Sequence, residues 1–286
     1  MEIRHLVGLR NKLGEGPLWD PHGQLFYWVD ILAPAIHCTD ADGGNHRSWT
    51  VPEHIGAMTL REGGGAVLAL RTGFHSFEFD SAKCEPIHDP EAGLERTRFN
   101  DGKTDRGGRF IAGTMDYEES DPLSSFYRLD PDFTCTHLGG DVTIFNAPCW
   151  SPDDKTFYYA DSPQGIVFAC DYDIGTGNVS SRRVLVGPDV APGVPDGCTV
   201  DAEGYLWNAR WGAGCIVRFT PDGRIDRTVK FPANKMTSCA FGGPGLDRLY
   251  VTSMQNPDGT DEPDAGVTYV VDGLGVKGLP EPRFAG

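Results

Sequence analysis

The chain has 286 residues, with 41 acidic against 25 basic side chains and a formal net charge of −16 at pH 7. So acidic a protein lacks the positive surface that a phosphate backbone or an anionic membrane attracts, which argues against nucleic acid and membrane partners. No apolar run of about 18 residues and no N-terminal signal pattern is present, so we expect a soluble cytoplasmic protein, a monomer or dimer, with its eight cysteines reduced.

Six segments of the chain repeat one pattern, in which an apolar approach leads into a polar turn and then into an aromatic and aliphatic strand. In chain order they read LWDPHGQLFYWVD, TLREGGGAVLALR, KTDRGGRFIAGTM, CWSPDDKTFYYAD, TVDAEGYLWNARW and AFGGPGLDRLYVT. Their turns fall on Gly23, Gly64, Gly108, Asp154, Gly204 and Leu246, at intervals of 41, 44, 46, 50 and 42 residues.

Repeats of about 40 to 50 residues are typical of propeller blades. The strand segments are rich in β-branched and aromatic residues, and long amphipathic patterns are absent. A β-sandwich would not need six aligned turns. The sequence therefore predicts an all-β protein, a single six-bladed β-propeller domain over residues 1–286.

Equivalent positions of the six blades should lie at one height around the propeller axis. Eight residues before the turns stand Glu15, Gly56, Asn100, Asn146, Asp196 and Ser238. Four of these carry oxygen donors, and each of the four lies between glycine, proline and apolar neighbours. Water-facing loop positions would also be polar, but such neighbours favour a ring that lines the central channel and binds a metal ion.

The same stretches resemble the SMP-30/gluconolactonase family, which includes regucalcin and bacterial sugar lactonases. The resemblance covers essentially the whole chain. It rests on LGEGPLWD, RFNDGKTDRGGRFIAGTM, NAPCWSPDDKTFYYADS, PDGCTVDAEGYLWNARW and TSCAFGG, which occur in this order at blade spacing.

The resemblance implies a sugar lactonase with one divalent metal ion. The ligands that it implies are Glu15, Asn146 and Asp196. The substrate-binding residues that it implies are Arg98, Asn100 and Glu118, although the run of residues 116–119 would allow a shift by one. Asp101 and Thr104 are expected to hold the loop rather than to take part in the chemistry.

Two carboxylates and an amide are hard ligands, which suit Ca²⁺, Mg²⁺ or Mn²⁺ better than a soft zinc site, with Zn²⁺ and Fe²⁺ still possible. Three protein ligands leave positions open for water and substrate. We expect the ion to polarise the lactone carbonyl or to bind the attacking water, and Asp196 to accept a proton from that water.

The sequence also bears on the choice of substrate and on alternative functions. Arg71 and Arg210 should end strands at the channel mouth, where they could bind an anionic group, although uncharged aldonolactones are the default substrate. The loops 116–125 and 255–265 are expected to set specificity. Cleavage of aryl esters or phosphotriesters on the same scaffold, or calcium binding without catalysis as in regucalcin, are the alternative functions.

Overall fold

Each sequence repeat folds into one antiparallel sheet. The computed structural model describes residues 1–256 and 263–286, and in these residues it contains six four-stranded sheets. The predicted turn residues Gly64, Gly108, Asp154 and Gly204 have positive φ angles, from 58° to 97°. In the first blade the left-handed residue is Gln24 (φ 53°), one position after the predicted Gly23. Left-handed residues of this kind close the tight hairpins between adjacent strands.

The strands follow the chain blade by blade. The N-terminal strand is β1 (Glu2–Arg10). Blade 1 comprises β2 (Gly14–Asp20), β3 (Leu25–Asp30), β4 (Ala35–Asp40) and β5 (Arg47–Thr50). Blade 2 comprises β6 (Ile55–Leu60), β7 (Ala66–Leu70), β8 (Gly73–Glu78) and β9 (Lys83–His88). Blade 3 comprises β10 (Thr97–Thr104), β11 (Phe110–Asp116), β12 (Ser124–Leu129) and β13 (Cys135–Val142).

The second half of the chain repeats this arrangement. Blade 4 comprises β14 (Phe145–Trp150), β15 (Thr156–Asp161), β16 (Ile166–Asp173) and β17 (Asn178–Val186). Blade 5 comprises β18 (Val194–Val200), β19 (Leu206–Trp211), β20 (Cys215–Phe219) and β21 (Ile225–Lys230). Blade 6 comprises β22 (Met236–Gly242), β23 (Arg248–Ser253) and β24 (Val267–Asp272), and β1 completes it by pairing with β24.

The first strand of each blade after β1 lies innermost. The strands β2, β6, β10, β14, β18 and β22 contact one another around the axis and are largely buried, whereas the outer strands β5, β9, β17 and β21 are mostly exposed. Aromatic side chains pack between blades, as where Phe26 of blade 1 stacks on Tyr250 of blade 6 with ring centroids 4.3 Å apart. The closed circle thus buries both faces of each blade.

Every inner strand carries an irregularity in its register with the next strand. It occurs at or beside the residue eight positions before the turn, as at Glu15, Asn100 and Asp196. The other three lie beside Gly56, Asn146 and Ser238. A β-bulge redirects the side chains around it. The six positions that the sequence spacing identified as equivalent therefore share the same local backbone geometry.

The C-terminal segment 273–286 covers the end of the channel where the hairpin turns lie. The amide of Gly278 donates to the carbonyl of Leu246 (2.7 Å), and that of Ala285 donates to the carbonyl of Gly108 (3.0 Å). Phe284 is fully buried in the core between blades 2 and 3. This segment covers one end of the channel, and the opposite end is called here the mouth.

All eight cysteines are unpaired. Within residues 1–256 and 263–286, the structure has no helix with the length and apolar character needed to cross a lipid bilayer.

Phe284→Ala should destabilise the protein by about 3 to 4 kcal/mol, because it removes a fully buried ring from the core. Phe133→Ala is the matched control, since its ring is 37% exposed beside Phe284 and should cost about 1 kcal/mol or less. Urea unfolding of both variants measures the difference. Equal losses would show that the C-terminal segment is not anchored through Phe284.

Candidate active site

The six bulges bring the predicted ring together in the channel. Glu15, Asn100 and Asn146 are at least 91% buried, and Asp196 is partly buried. The ring is tight at Gly56, where an added Cβ would lie 2.5 Å from the carbonyl oxygen of Phe99. The small members of the ring thus let neighbouring inner strands approach, and the polar members line the space that is left.

Three acidic residues of the inner strands are each followed by a glycine that holds them. The amides of Gly16, Gly102 and Gly197 donate to the preceding carboxylates at 2.9, 2.7 and 3.1 Å. At Gly197 a side chain is impossible, since a Cβ would lie 2.0 Å from Oγ of Ser238. This shared arrangement fixes one oxygen each of Glu15, Asp101 and Asp196.

Glu15 and Asp196 lie close enough in the channel for each carboxyl group to affect the pKa of the other. Burial raises the pKa of Glu15 well above its usual value, and the charges of Asp196 and Asp101 raise it further. Burial and then the charge of Asp101 raise the pKa of Asp196. The channel therefore concentrates negative charge that burial leaves poorly solvated.

Asp101 has a supporting position next to these two residues. Its second oxygen accepts a hydrogen bond from the amide of Ala147 (2.9 Å), which has a positive φ of 64° directly after Asn146. Asp101 thereby holds the bulge of β14 that presents Asn146. Thr104 lies deeper and bonds Thr59 through its hydroxyl (2.6 Å). Both observations agree with the supporting role expected for Asp101 and Thr104.

A chain of hydrogen bonds orients the two amides of the ring. Arg98 Nη1 donates to Asn100 Oδ1 (3.2 Å), and Asn100 Nδ2 donates to the carbonyl of Phe145 (3.0 Å). Arginine is only a donor and a carbonyl only an acceptor, so the orientation of Asn100 is determined. Asn100 Nδ2 also donates to Asn146 Oδ1 (3.1 Å), and Asn146 Nδ2 donates to Oγ of Ser162 (2.8 Å). The amide oxygen of Asn146 is thus held on the side of Asn100.

The two cationic side chains near the ring, Lys103 and Arg98, form their hydrogen bonds with groups other than the ring carboxylates. Lys103 binds Glu281 (3.0 Å) and the carbonyl of Cys198 (3.3 Å) below the ring, and although burial opposes its charge, Glu281 raises its pKa. Burial lowers the pKa of Arg98 to about 10, which still leaves it charged at neutral pH. Among the described residues, neither Lys103 nor Arg98 donates a hydrogen bond to Glu15 or Asp196.

Arg210 lies at the mouth end of β19 as expected, but the suggestion that it could bind an anionic group there is wrong. Its side chain is fully buried, and its guanidinium donates to the carbonyls of Ala191, Pro192 and Gly193 and to Asn208. These bonds anchor the segment before β18. The charge is therefore used inside the blade, whereas Arg71 is exposed.

Glu118 lies outside the group that the ring brings together. Its side chain is 67% exposed and pairs with Arg96 at 3.2 Å. The neighbouring Glu119 instead acts electrostatically on Arg98. The loop is held by buried Asp116, which accepts hydrogen bonds from Arg96 and from loop amides. Of the second predicted specificity loop, residues 257–262 lie outside the described residues.

The donor set fits a hard divalent cation. In the described residues no three His, Cys, Asp or Glu side chains form a metal-binding group, and the predicted set differs from such a group because it joins two carboxylates to an amide. A divalent cation would balance negative charge on the carboxyl groups of Glu15 and Asp196. The residues present are thus chemically suited to the ion that the sequence implied.

The sequence left two supporting residues unassigned. Ser162 received no role, yet it orients Asn146. Lys103 received no role, yet it lies in the channel beneath the ring. A signal for a carboxylate beside the ring was available, since acid–glycine pairs recur on the inner strands at residues 15–16, 101–102 and 196–197. The contacts of Ser162 and Lys103 had no such signal, because their partners come from distant parts of the chain.

Comparisons with known proteins agree with this architecture. A family model of the SMP-30/gluconolactonase/LRE-like region matches residues 13–255. Regucalcin of Xenopus laevis is 38% identical over 298 aligned residues, which cover 100% of this chain and 99% of that protein. A luciferin-regenerating enzyme superposes with a TM-score of 0.93 at 32% identity, with 99% of each chain covered.

A second solved structure, the calcium-binding protein regucalcin from Agrobacterium tumefaciens, superposes with a TM-score of 0.92 at 30% identity. The match covers 98% of this chain and 96% of that one. The predicted six-bladed propeller is thereby confirmed over nearly the whole chain.

Ser162→Ala should weaken metal binding by about tenfold without unfolding the protein, because Asn146 loses the partner that orients its amide. Ser124→Ala is the matched control, since that serine is also buried but its hydroxyl bonds the carbonyl of Thr143 (2.9 Å), away from the ring. Calorimetric titration with Ca²⁺ and Mn²⁺ measures both affinities. An unchanged metal affinity in Ser162→Ala would show that metal binding does not depend on the hydrogen bond from Asn146 to Ser162.

Chelator-treated protein should become less stable as the pH rises, relative to Asp101→Asn. Burial raises the pKa of Asp101 from 3.8 to about 6, so the folded state holds this proton more tightly than the unfolded chain. The resulting stability is complete below pH 4 and is lost as the pH rises through about 6. Urea unfolding between pH 4 and 7 should show the variant gaining about 1 to 3 kcal/mol on the wild type. If the free energies of unfolding of the two proteins changed in parallel with pH, the raised pKa of Asp101 would be contradicted.

Proposed function

The chain belongs to the SMP-30/gluconolactonase/LRE-like family, and from that premise we propose that it is a metal-dependent hydrolase that opens sugar lactones to aldonic acids. The observation that carries the proposal is the convergence of Glu15 and Asp196 in the channel, where each carboxyl group is close enough to affect the pKa of the other. Burying two acids against each other is costly without a cation.

We propose Glu15, Asn146 and Asp196 as the ligands of one divalent ion. Their oxygen donors suit Ca²⁺, Mg²⁺ or Mn²⁺, with Zn²⁺ or Fe²⁺ as further candidates. When bound, such an ion supplies Lewis-acid polarisation of a lactone carbonyl or of a water molecule. The carboxylate of Asp101 is spent on two backbone amides, so it supports the ligands and is not counted among them.

The residues above the ring are suited to hold a polyhydroxylated substrate. Arg98 uses Nη1 for Asn100 and for the carbonyl of Phe99 (2.8 Å), which leaves its other N–H groups for oxygen atoms of a ligand. Asn100 links Arg98 to Asn146, so substrate contacts and metal ligands form one rigid network. Glu118 remains a predicted substrate residue, although its side chain would have to leave Arg96 to reach a ligand.

Asp196 is the proposed proton acceptor for the attacking water. One of its oxygens accepts from the amide of Gly197 and would also bind the ion, which leaves the other oxygen to take the proton. A raised pKa brings a carboxylate closer to the operating pH of a general base. Opening the ester then produces a carboxylate and an alcohol, and the proton held at Asp196 can return to the leaving alkoxide oxygen.

Asp196→Asn should lower lactone turnover by at least about 10³-fold, because the amide cannot accept the proton. It keeps the shape of the side chain and an oxygen for the amide of Gly197, so the fold should persist. Asp226→Asn, on the outermost strand of the same blade, is the control and should remain active. Proton release at constant pH measures the rates with aldonolactones, before and after metal removal and with each ion added back.

The outcomes of this experiment separate the candidate functions. Activity that chelation abolishes and one ion restores would establish the lactonase. Metal binding without hydrolysis of any lactone would favour a calcium-binding role, and cleavage of aryl esters or phosphotriesters alone would favour the other hydrolase alternative. Turnover by Asp196→Asn at the wild-type rate would contradict the assignment of the base.

A further inference from the structure

A cluster of four side chains lies at the channel mouth above the predicted substrate residues. The guanidinium carbons of Arg71 and Arg98 lie 5.8 and 5.7 Å from the centroid of the Tyr117 ring. The hydroxyl of Tyr117 lies 3.1 Å from Nδ1 of His54. We call Arg71, Arg98, Tyr117 and His54 the Tyr117 cluster.

The fold brings this cluster together from two blades. His54 precedes β6 and Arg71 follows β7, and the amide of Arg71 donates to the carbonyl of His54 (3.0 Å). Arg98 is in β10, and Tyr117 directly follows β11, where its amide donates to the carbonyl of Arg96 (2.8 Å). All four lie at the strand ends away from the hairpin turns. Backbone pairing thus holds both guanidinium groups around one ring at the mouth.

The two arginines place uncompensated positive charge in a strongly acidic protein. Among the described residues, neither forms an ion pair within 4.0 Å of a carboxylate. The nearby carboxylate of Glu53 is occupied by the amide of Thr72 (3.0 Å) and by its hydroxyl. Glu15 and Glu119 act on Arg98 electrostatically, without a hydrogen bond to it. Burial, followed by the charges of Arg98 and Arg71, lowers the pKa of His54, so this residue does not add a third charge at neutral pH.

We propose that the Tyr117 cluster is a subsite for an anionic group on the substrate, a carboxylate, sulfonate or phosphate on the carbon chain away from the lactone carbonyl. This proposal rests on the proposed lactonase function and narrows its substrate class. Arg98 adjoins Asn100 of the ring, and Arg71 stands farther out and exposed. A lactone bound at the ring would therefore extend its exocyclic substituent towards Arg71.

The chemistry of the cluster favours an oxyanion over a neutral hydroxyl group. A guanidinium presents paired N–H donors that match the oxygens of carboxylate, sulfonate and phosphate. Stacking on Tyr117 restricts the motion of Arg71 before the ligand arrives, which reduces the entropy lost on binding. Tyr117 and His54 thus act as the support, and the two arginines act as the contacts.

The test compares four lactones of matched ring size: a neutral aldonolactone, an aldaric monolactone with a free carboxylate, and the 6-sulfonate and 6-phosphate analogues. The variants are Arg71→Gln, Arg71→Lys and Arg47→Gln. Arg47 is the matched control because it too is exposed and lies over an aromatic ring, Trp49 at 5.4 Å, but on the outermost strand of blade 1.

We expect the wild type to prefer at least one anionic lactone over the neutral one. Arg71→Gln should lower kcat/KM for that lactone by about tenfold, mainly through KM, and leave the neutral lactone unchanged. Arg71→Lys should keep part of the preference because it retains the charge, and Arg47→Gln should keep all of it. The preference should also weaken with rising salt. The anion that shows the largest loss identifies the group.

Two results would overturn the subsite. One is a wild type that does not discriminate between neutral and anionic lactones, and the other is an equal effect of Arg71→Gln on both. If no lactone is hydrolysed with any metal, the proposed function fails, and calorimetry with glucarate and gluconate then tests the subsite alone. Tighter binding of glucarate that Arg71→Gln abolishes would support the subsite, and equal binding would refute it.

Discussion

The placement of the site depends on one constraint, the closure of six inner strands around a common axis with a bulge at the same distance before each turn. A bulge turns the side chains around it, and sixfold closure brings the turned residues to one level. Glu15, Asn146 and Asp196 lie 50 to 181 positions apart in the chain yet come together in the channel for this reason. Ring members without donors matter equally, since Gly56 leaves room for the approach of neighbouring backbone.

Charge distribution is the second organising feature of the molecule. At the ring, carboxylates converge, and burial together with the charge of Asp101 raises the pKa of Glu15 and of Asp196. Towards the mouth the local charge becomes positive, because Arg71 and Arg98 lie around Tyr117. A ligand that enters this gradient experiences opposite fields at its two ends. Binding of this kind orients a substrate as well as retaining it.

The residues that contact neither ion nor substrate are as informative as those that would. Asp101 fixes the bulge before Asn146, and Ser162 orients the Asn146 amide. Lys103 and Glu281 close the channel beneath the ring. Interactions of this supporting kind decide how rigidly the ligand oxygens are held, and a precise site requires such rigidity.

The sequence by itself determined the six blades, the height of the ring and the candidate ligands, because blade spacing and turn chemistry are local and repeat along the chain. Tertiary structure alone decided where individual side chains point. Arg210 turns inward to carbonyls of the segment before its strand, Glu118 turns outward to Arg96, and Tyr117 lies between arginines of two blades. The physical reason is that a side chain at the mouth takes its direction from partners on other strands, and these partners are distant in sequence.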